Sequence, residues 1–469
     1  MSAGNDLPKG WSACTLGDLV EIIRGVSYKK QQATAEPGDG RVPILRATNI
    51  NQSVDFDGLV YVPQECVSEE QMLQPGDIVV AASSGSRSVV GKAAQVIEQW
   101  LGSFGAFCMG LRPNPAIESN FVAFFLQTQE YRHTVSLLSS GSNINNLKRD
   151  HIQSFPFRLA PLGEQRRIVA KIEELFSDLD AGVAALERAK ANLKRYRAAV
   201  LKVAVEGRLV PSAGEASVFS KPAWHVISTA IESLEQGWSP RCERNPSGNP
   251  ETWGVIKTSA VQHMSYVADE NKKLPDSLPP RPKLEVGKND LLITRAGPRK
   301  RCGVCCLVKR TRPRLIVCDK VYRLRADTKK ATPGYLEVAL NAPQILDELD
   351  VLKSGISDSG VNLTQGRFRK LRIPLPTLQD QVVIVSEVER LLSLADKTAN
   401  VLDRAISMSE RLRQCLLKRA FEGKLVPQDP SDEPADKLLA SIRQDRERRS
   451  ARPKPRTRKA RRSAKKTRA

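Results

Sequence analysis

The side chains best suited to contact a nucleic acid lie in the loops of two long segments, residues 1–160 and 212–375. Arg, Lys, Asn, Ser and Thr hydrogen-bond to base edges, and Lys and Arg also neutralise phosphates. For any single residue of this kind, an ordinary solvated loop is the alternative. In the first segment the candidates are Lys29, Lys30, Arg46, Ser84, Ser86, Arg87, Asn143, Asn145 and Lys148. In the second segment they are Arg241, Lys257, Arg295, Arg299, Lys300, Arg301, Asn362, Thr364 and Arg367.

The strongest of these candidates is a cationic loop that follows a predicted strand in the second segment. It has the sequence Arg295-Ala296-Gly297-Pro298-Arg299-Lys300-Arg301. A Gly-Pro turn needs no cations around it, so we expect this loop to contact an anion. The matching loop of the first segment, Ser83 to Ser88, is rich in serine.

The net charge also favours a polyanionic partner. The 469 residues contain 73 Lys and Arg against 52 Asp and Glu, which gives a formal charge of +21. More than half of this charge lies at the end, since Arg443 to Ala469 contains 14 Lys/Arg and 2 Asp/Glu. Such a block of like charge is typical of a disordered arm that binds phosphates without sequence preference. A tail that only aids solubility is the alternative.

Catalytic signatures are not recognisable in the sequence. The run from Gly85 to Lys92 has five residues between its glycines, and Ala93 stands where a phosphate loop needs Ser or Thr. Neither the Asn-Pro-Pro-Tyr nor the Asp-Pro-Pro-Tyr run of amino-methyltransferases occurs. We therefore expect a non-catalytic chain that holds no cofactor of its own.

The cysteines do not predict a metal site. Cys302, Cys305, Cys306 and Cys318 could form a zinc cluster by number, but Cys305 and Cys306 align with Ala93 and Ala94 in the other segment. Small residues on a buried strand are the simpler interpretation, and we expect no metal. Nine cysteines without regular spacing suit a reducing compartment, and no run of 18 apolar residues occurs, so we expect a cytoplasmic protein.

The sequence contains a duplication at an offset of 216 residues. The run from Glu164 to Val169 aligns with that from Asp380 to Val385. The register holds without a gap to the runs from Leu201 to Pro211 and from Leu417 to Pro427. A repeat of this length indicates two copies of one structural unit.

Each copy predicts a long amphipathic helix. Apolar residues recur at spacings of three and four, for example at Ile168, Ile172 and Leu175, and Gly207 and Gly423 mark the ends. Neither narrow seam has an internal partner unless the two helices pair with each other. Because each helix follows a globular segment of similar size, we expect them to pair antiparallel as a coiled coil. Packing of each helix on its own globular domain is the alternative.

The globular segments also match each other. Trp11 corresponds to Trp224, and Gly76-Asp77-Ile78-Val79-Val80 resembles Asn289-Asp290-Leu291-Leu292-Ile293. Both contain short β-rich runs separated by Gly, Pro, Ser and Asn. The predicted fold class is α+β, with two similar domains separated by two long helices and an approximate twofold axis. The predicted boundaries are 1–160, 161–211, 212–375 and 376–428, with a basic disordered tail at 429–469.

This organisation resembles the specificity subunit of a type I restriction-modification enzyme. The residues that carry the resemblance are Leu7 to Trp11, Pro161 to Val169 and Glu206 to Pro211, with the second copies of the last two. The resemblance covers about residues 1–428 and implies two target recognition domains, each reading one half of a split, asymmetric DNA target. It further implies that the helices set the gap and dock two modification (methyltransferase) subunits.

The resemblance implies partners that perform the chemistry. These are the methyltransferase and a restriction/translocase subunit, on which S-adenosylmethionine, ATP and magnesium would bind. Two other hypotheses remain at this point. One is a coiled-coil scaffold with a basic nucleic-acid-binding tail, and the other is a lone nuclease or methyltransferase with an unrecognised motif.

Overall fold

The computed structural model describes residues 7–139, 145–209, 222–355 and 357–451. The chain forms two compact units. The first consists of Met1–Ala184 and Ile406–Ala469, and the second of Ala185–Ala405. Each unit contains one globular segment and a part of both long helices. No helix in the described ranges is long and apolar enough to cross a membrane.

The globular segment of the first unit contains eleven strands and four short α-helices among its described residues, and the start of a long helix follows it. The strands are β1 Ser12–Thr15, β2 Val20–Arg24, β3 Arg41–Leu45, β4 Val60–Pro63, β5 Ile78–Ala81, β6 Ser83–Ser84, β7 Ala93–Gln95, β8 Ser103–Phe104, β9 Cys108–Pro113, β10 Asn145–Asn146 and β11 Pro156–Leu159. The helices are α1 Leu16–Leu19, α2 Ser119–Phe125, α3 Gln129–Leu138, α4 Arg149–Gln153 and the long α5 Leu162–Val205.

The second unit repeats this pattern. Its strands are β12 Ala223–Val226, β13 Ile231–Gln236, β14 Gly254–Ile256, β15 Val261–Gln262, β16 Ser265–Tyr266, β17 Asn271–Lys273, β18 Leu291–Thr294, β19 Ala296–Gly297, β20 Cys305–Leu307, β21 Leu315–Ile316, β22 Val321–Ala326, β23 Val361–Asn362 and β24 Arg372–Leu375. Its helices are α6 Pro333–Leu340, α7 Pro343–Leu352, α8 Gln365–Phe368 and the long α9 Leu378–Phe421, and α10 Ala435–Ala451 follows α9 in the chain.

The sheets of the two units have the same topology. An antiparallel four-stranded sheet has the order β2-β9-β5-β7 in the first unit and β13-β22-β18-β20 in the second. A three-stranded sheet has the order β4-β3-β8 or β17-β14-β21, with one parallel pair in each. In each unit the first and the last strand of the globular segment pair with each other, as β1-β11 in the first unit and β12-β24 in the second. The second unit adds the hairpin β15-β16. The predicted duplication of an α+β domain is confirmed.

Each globular body packs on the start of one long helix and the end of the other. In the first unit the core includes Ile168 and Ile172 of α5 together with Leu417 and Phe421 of α9. The ring of Phe421 lies 4.9 Å from that of Phe121 and 5.3 Å from that of Phe125. In the second unit the core takes Ile384 and Val388 of α9 and four residues of α5, Val200, Leu201, Ala204 and Val205.

The two long helices are antiparallel within each unit. In the second unit, Lys190 pairs with Asp403 at 2.7 Å, and Arg197, one heptad further along α5, pairs with Asp396, one heptad back along α9. In the first unit, Arg413 pairs with Asp180. The predicted antiparallel pairing is therefore confirmed. The alternative, in which each helix packs on its own domain, does not hold, because each core contains residues of both helices.

The predicted apolar seam is only partly buried. Leu186 and Leu193 are half-buried, while Tyr196 and Leu412 are exposed. A pair of helices can cover only the strip between them, so seam residues at the edge of that strip remain in solvent.

A Gln residue fixes the start of each long helix to its globular body. The amide of Gln165 donates to Ala160 O at 2.8 Å and accepts from Glu118 N at 3.1 Å. Gln381 likewise donates to Pro376 O at 3.0 Å and accepts from Thr332 N at 2.8 Å. Each amide therefore joins the start of its long helix to the loop before a helix of the globular body. Both Gln side chains are fully buried.

Both long helices end as the sequence predicts. Gly207 and Gly423 have φ of 69° and 65°, which non-glycine residues rarely adopt. The amide of Arg208 donates to Val203 O at 3.0 Å, and that of Lys424 donates to Arg419 O at 2.8 Å. These are the hydrogen bonds of a Schellman motif.

The prediction of a disordered tail over 429–469 is wrong for its first part. Residues Ala435–Ala451 form α10, in which Ala435, Leu439 and Ile442 are buried in the first core. Their spacing of four and three places them on one face of a helix, and the surrounding charges hid this short pattern. The remaining residues, 452–469, lie outside the described part.

Candidate nucleic-acid interface

In the first unit, two of the predicted loops meet in a short antiparallel ladder. Strand β6 pairs with β10, with Ser84 opposite Asn145 and Ser83 opposite Asn146. The Asn145 amide also approaches the carbonyl oxygens of Ser84 and Gly85, both at 3.5 Å. The loop after the central strand β5 and the loop before α4 therefore present their side chains together.

A third segment, Gly105–Phe107, joins this ladder to the remaining candidates. The Ala106 amide donates to Val26 O at 2.9 Å, three residues before Lys29, and Gly105 N donates to Leu45 O at 2.9 Å. The Phe107 carbonyl accepts from Ala82 N at 2.8 Å and Ser83 N at 3.0 Å. Through this segment, the loops that carry Lys29, Arg46 and Ser84 form one connected group.

Close packing of backbone fixes this junction. A Cβ atom added at Gly25 would lie 2.1 Å from Gly105 O. In the second unit, a Cβ at Gly237 would lie 2.1 Å from Val317 O. Both glycines follow the first strand of a four-stranded sheet, so both units use the same close approach to hold their loops together.

The candidates of the first unit are mostly accessible. Lys29, Lys30, Arg46, Ser86, Arg87 and Lys148 are exposed, and Ser84 and Asn145 are half-buried. Arg46 donates from Nη2 to Gly58 O at 2.8 Å, and Lys148 is the N-cap residue of α4. Asn143 lies outside the described residues. The prediction that these side chains contact DNA is not tested by their accessibility.

The second unit brings the equivalent segments together. Strand β19 pairs with β23, with Ala296 opposite Asn362. The Arg295 amide donates to Lys320 O at 2.9 Å, and Trp238 N donates to Val317 O at 2.8 Å. Arg301, in the cationic loop, donates to Thr258 O at 2.7 Å, next to Lys257. The loops around Arg241, Lys257, Arg295 and Asn362 therefore correspond to those of the first unit.

The cationic loop is more structural than we predicted. The guanidinium of Arg295 donates to Asp319 O at 2.6 Å and to Asn362 Oδ1 at 2.8 Å, and it lies 5.6 Å from the ring centre of Tyr322. Arg301 donates to Gln262 Oε1 at 2.9 Å and to the carbonyl oxygens of Thr258 and Val261, both at 2.7 Å.

Arg299 also has partners in its own unit. It pairs with Asp350 and Asp358, both at 2.9 Å. The hydrogen bond from Lys353, followed by that from Arg299, holds the pKa of Asp350 below its usual value. The expectation that this loop has no structural reason for its cations was wrong, because three of its guanidinium groups fasten it to neighbouring segments. Lys300 is exposed, and no partner for it is found in the described ranges.

The remaining candidates of the second unit include side chains that hydrogen-bond within the unit and side chains that are exposed to solvent. Lys257 pairs with Glu270 at 3.0 Å, and hydrogen bonds from Ser259 and then Lys257 lower the pKa of Glu270. Thr364 caps α8 by accepting from Arg367 N, and the Arg367 side chain donates to Leu352 O at 3.3 Å. Arg241, Thr364 and Arg367 are exposed.

The cysteines lie where the buried-strand interpretation predicts. Cys305 and Cys306 are fully buried in β20. Burial raises the pKa of the Cys306 thiol to about 12. No group of three or more His, Cys, Asp or Glu side chains arranged for a metal ion is found among the described residues.

Sequence reasoning missed the segment that precedes β9 in the first unit and β22 in the second. Phe107 and Lys320 occupy equivalent places, since Cys108 opposite Ala81 corresponds to Val321 opposite Thr294. Asn146, in the same predicted loop as Asn145, is the pairing equivalent of Asn362. The signal available was the repeat itself, because aligning each loop with its counterpart identifies positions that differ.

Comparison with known proteins agrees with this architecture. Residues 8–190 match a family model described as the type I restriction modification DNA specificity domain. The chain is 36% identical over 445 residues to the specificity subunit of the type I restriction enzyme EcoKI of Escherichia coli (strain K12), covering 92% of this chain and 93% of that one. It is 32% identical over 432 residues to the StySPI specificity subunit of Salmonella potsdam, covering 91% and 92%.

Two solved structures share the fold. One, from a study of complex assembly and conformational transition of the type I restriction-modification system, has a TM-score of 0.66 at 17% identity and covers 90% of this chain and all of the other. The other, the HsdS subunit from Thermoanaerobacter tengcongensis, has a TM-score of 0.50 at 17% identity and covers 91% of this chain and all of the other.

Proposed function

The chain belongs to the family of type I restriction-modification specificity subunits, the non-catalytic DNA-recognition subunits of these enzymes, and we propose that each of its units recognises one half of a bipartite, asymmetric DNA target. The observation that carries the proposal is one backbone arrangement used twice with different side chains. The ladder of Ser84 and Asn145 in the first unit corresponds to that of Gly297 and Val361 in the second.

Differences at equivalent positions support an asymmetric target. Hydrogen-bonding side chains on a fixed frame select bases by their donor and acceptor pattern. Identical frames with identical loops would favour a palindrome, whereas these loops differ in charge and in polarity. We therefore expect the two half-sites to have unrelated sequences.

The partners follow from the family and from the absence of a recognised catalytic motif in the sequence. We propose that two copies of a modification (methyltransferase) subunit and a restriction/translocase subunit bind this chain in the cytoplasm. S-adenosylmethionine would bind to the modification subunit, and ATP and magnesium to the motor and nuclease partner. We further propose that α5 and α9 set the number of base pairs between the half-sites.

A binding assay tests the recognition role. The chain is purified together with its modification subunit and offered a library of duplexes with random sequence. The expected result is enrichment of one split sequence with two constant parts and a constant gap. Uniform binding across the library, or a single uninterrupted motif, would contradict the proposal.

The scaffold hypothesis is not favoured by the family assignment. Its discriminating variant is a chain that ends at Ala451, which keeps helix α10 and lacks the basic residues after it. A specificity subunit keeps its selected sequence after this truncation, because the ladders and loops that we assign to recognition lie in the two units. A scaffold that binds nucleic acid through the tail would lose that binding altogether.

A further inference from the structure

Phe107 is an exposed apolar residue in the segment that joins the loops predicted to contact DNA. It follows β8, immediately before β9, and is 68% exposed. Its carbonyl oxygen accepts from both Ala82 N and Ser83 N, which places it beside the Ser84–Asn145 ladder. A single exposed apolar residue is common on protein surfaces, so its exposure alone carries no meaning. Its position and its rigidity carry the inference.

The backbone around Phe107 is held on both sides. Cys108 N donates to Gly105 O at 2.8 Å, and Ala106 N donates to Val26 O at 2.9 Å. With the two bonds to the Phe107 carbonyl, four hydrogen bonds fix this short turn. The ring is therefore presented to solvent from a rigid base, and it loses little backbone entropy when it contacts a ligand.

The surroundings of the ring match one feature of the DNA major groove. The backbone that carries the exposed ring is bonded to Ser83, whose strand pairs Ser84 with Asn145 and so brings hydrogen-bonding groups to the same loop cluster. In the major groove the C5-methyl of thymine is an apolar group that lies among hydrogen-bond donors and acceptors, and Phe is one of the side chains that contact it.

The second unit has a different residue type at this position. Lys320 is exposed, and its carbonyl accepts from Arg295 N in the same way that the Phe107 carbonyl accepts from Ala82 N. A lysine at this place would contact a phosphate or a guanine. The same backbone position therefore offers an apolar contact in one unit and a cation in the other.

We propose that Phe107 packs against the C5-methyl group of a thymine in the half-site recognised by the first unit. The inference rests on the proposed function and adds one specificity-determining residue to it. Lys320 is the equivalent residue of the second unit and makes a polar contact there.

The test compares thymine with deoxyuridine, which lacks only the methyl group. The full chain with its modification subunit is titrated with duplexes in which each thymine of the first half-site, on either strand, is replaced in turn by deoxyuridine. Wild type should bind one of these duplexes about fourfold more weakly, as expected for one buried methyl group. Phe107→Ala should bind that deoxyuridine duplex and the unmodified duplex equally. Phe107→Leu should keep part of the difference in affinity between these two duplexes.

Lys320→Ala is the matched control and should retain the full sensitivity to that deoxyuridine. Thermal unfolding of Phe107→Ala should equal that of wild type, because the side chain is exposed. Wild type that is insensitive at every position, or Phe107→Ala that retains the loss, would overturn the inference. If the Phe107 ring is instead inserted between base pairs, removal of a thymine methyl group has no effect at any position, and the inference is overturned. If no split sequence is selected at all, the proposed function has failed instead.

Discussion

Lys300 and Arg301 are neighbours in the chain with opposite surroundings. Arg301 donates to three acceptors of its own unit, whereas Lys300 is exposed and has no partner in the described part of the chain. A guanidinium that is already bound holds its loop in place, and an ammonium in solvent can exchange its hydration for a phosphate. We therefore assign DNA contact to Lys300 and loop positioning to Arg301.

Replacing each of the two by Ala separates these roles. Lys300→Ala should reduce the salt dependence of DNA binding by about one phosphate contact and leave stability unchanged. Arg301→Ala should lower the free energy of unfolding by about 2 kcal/mol, because two backbone carbonyls and one amide lose a charged donor. Salt-dependent binding and urea unfolding measure the two effects. A stable Arg301→Ala variant with an altered salt slope would reverse the assignment.

Glu164 gives a pH-dependent prediction in the first unit. Burial raises its pKa, and the hydrogen bond from Trp11 Nε1 to Oε2, at 3.0 Å, offsets only part of this effect. With a folded-state pKa above the unfolded value, the carboxyl favours folding at low pH, and this contribution is lost as pH rises through the folded pKa.

Glu164→Gln removes the buried charge and keeps an acceptor for Trp11. The stability of the variant relative to wild type should therefore increase as pH rises from about 4.3, the ordinary pKa of a glutamate, through the raised folded-state pKa. Thermal unfolding across this range measures the difference. A relative stability that falls with increasing pH would contradict the assignment.

At the scale of elements, helix α10 shows what sequence patterns can and cannot predict. The long helices have apolar repeats over many turns and glycine stops, so both were predicted within a few residues. Helix α10 has only three deeply buried apolar residues among many charges, and its burial depends on a surface formed elsewhere in the first unit. Arg443 pairs there with Asp18 at 3.1 Å, and Ala435 N donates to Gly10 O at 2.9 Å. Such tertiary partners are not visible in a local pattern.

Truncations locate the boundary between the packed helix and the basic tail. A chain that ends at Ala451 should unfold like the full chain and lose part of its sequence-independent DNA affinity. A chain that ends at Gln428 should be much less stable, since it loses the buried face of α10.

Ile442→Ala should cost about 3 kcal/mol of unfolding free energy, because the side chain is 2% exposed. Ser441→Ala, at an exposed neighbouring position, is the matched control and should be neutral. Equal stability of Ile442→Ala and Ser441→Ala would show that α10 does not pack as described.

At the scale of the whole molecule, the duplication determines the organisation of the chain. The offset of 216 residues predicted two similar domains and two paired helices, and the sheets and ion pairs of each unit agree with it. Which loop side chains contact a base was much less predictable. The roles of Arg295 and Arg301 depend on acceptors such as Asp319 O and Val261 O, whose proximity arises only in the folded unit.

The spacing role of the helices can be tested by matched insertions. Duplicating Ala181–Glu187 in α5 and Ile406–Leu412 in α9 adds one heptad to each helix at facing positions, so the seam is kept. Seven residues add roughly 10 Å, which equals about three base pairs. The selected target should keep both half-sites and gain about three base pairs between them.

The matched control for these insertions carries the heptad in α5 alone. It shifts Lys190 and Arg197 out of register with Asp403 and Asp396, and it should be destabilised. A change in half-site sequence after the double insertion would contradict the spacing role.

The most direct test of the central claim is a genome-wide map of methylated bases from cells with and without this chain. Two variants are added: Ser84→Ala with Asn145→Ala in the first unit, and Lys300→Ala with Asn362→Ala in the second. The account predicts a split motif that disappears without the chain, and a loss of stringency confined to a different half-site in each variant. A motif that persists without the chain, or variants that both relax the same half-site, would contradict recognition of one half-site by each unit.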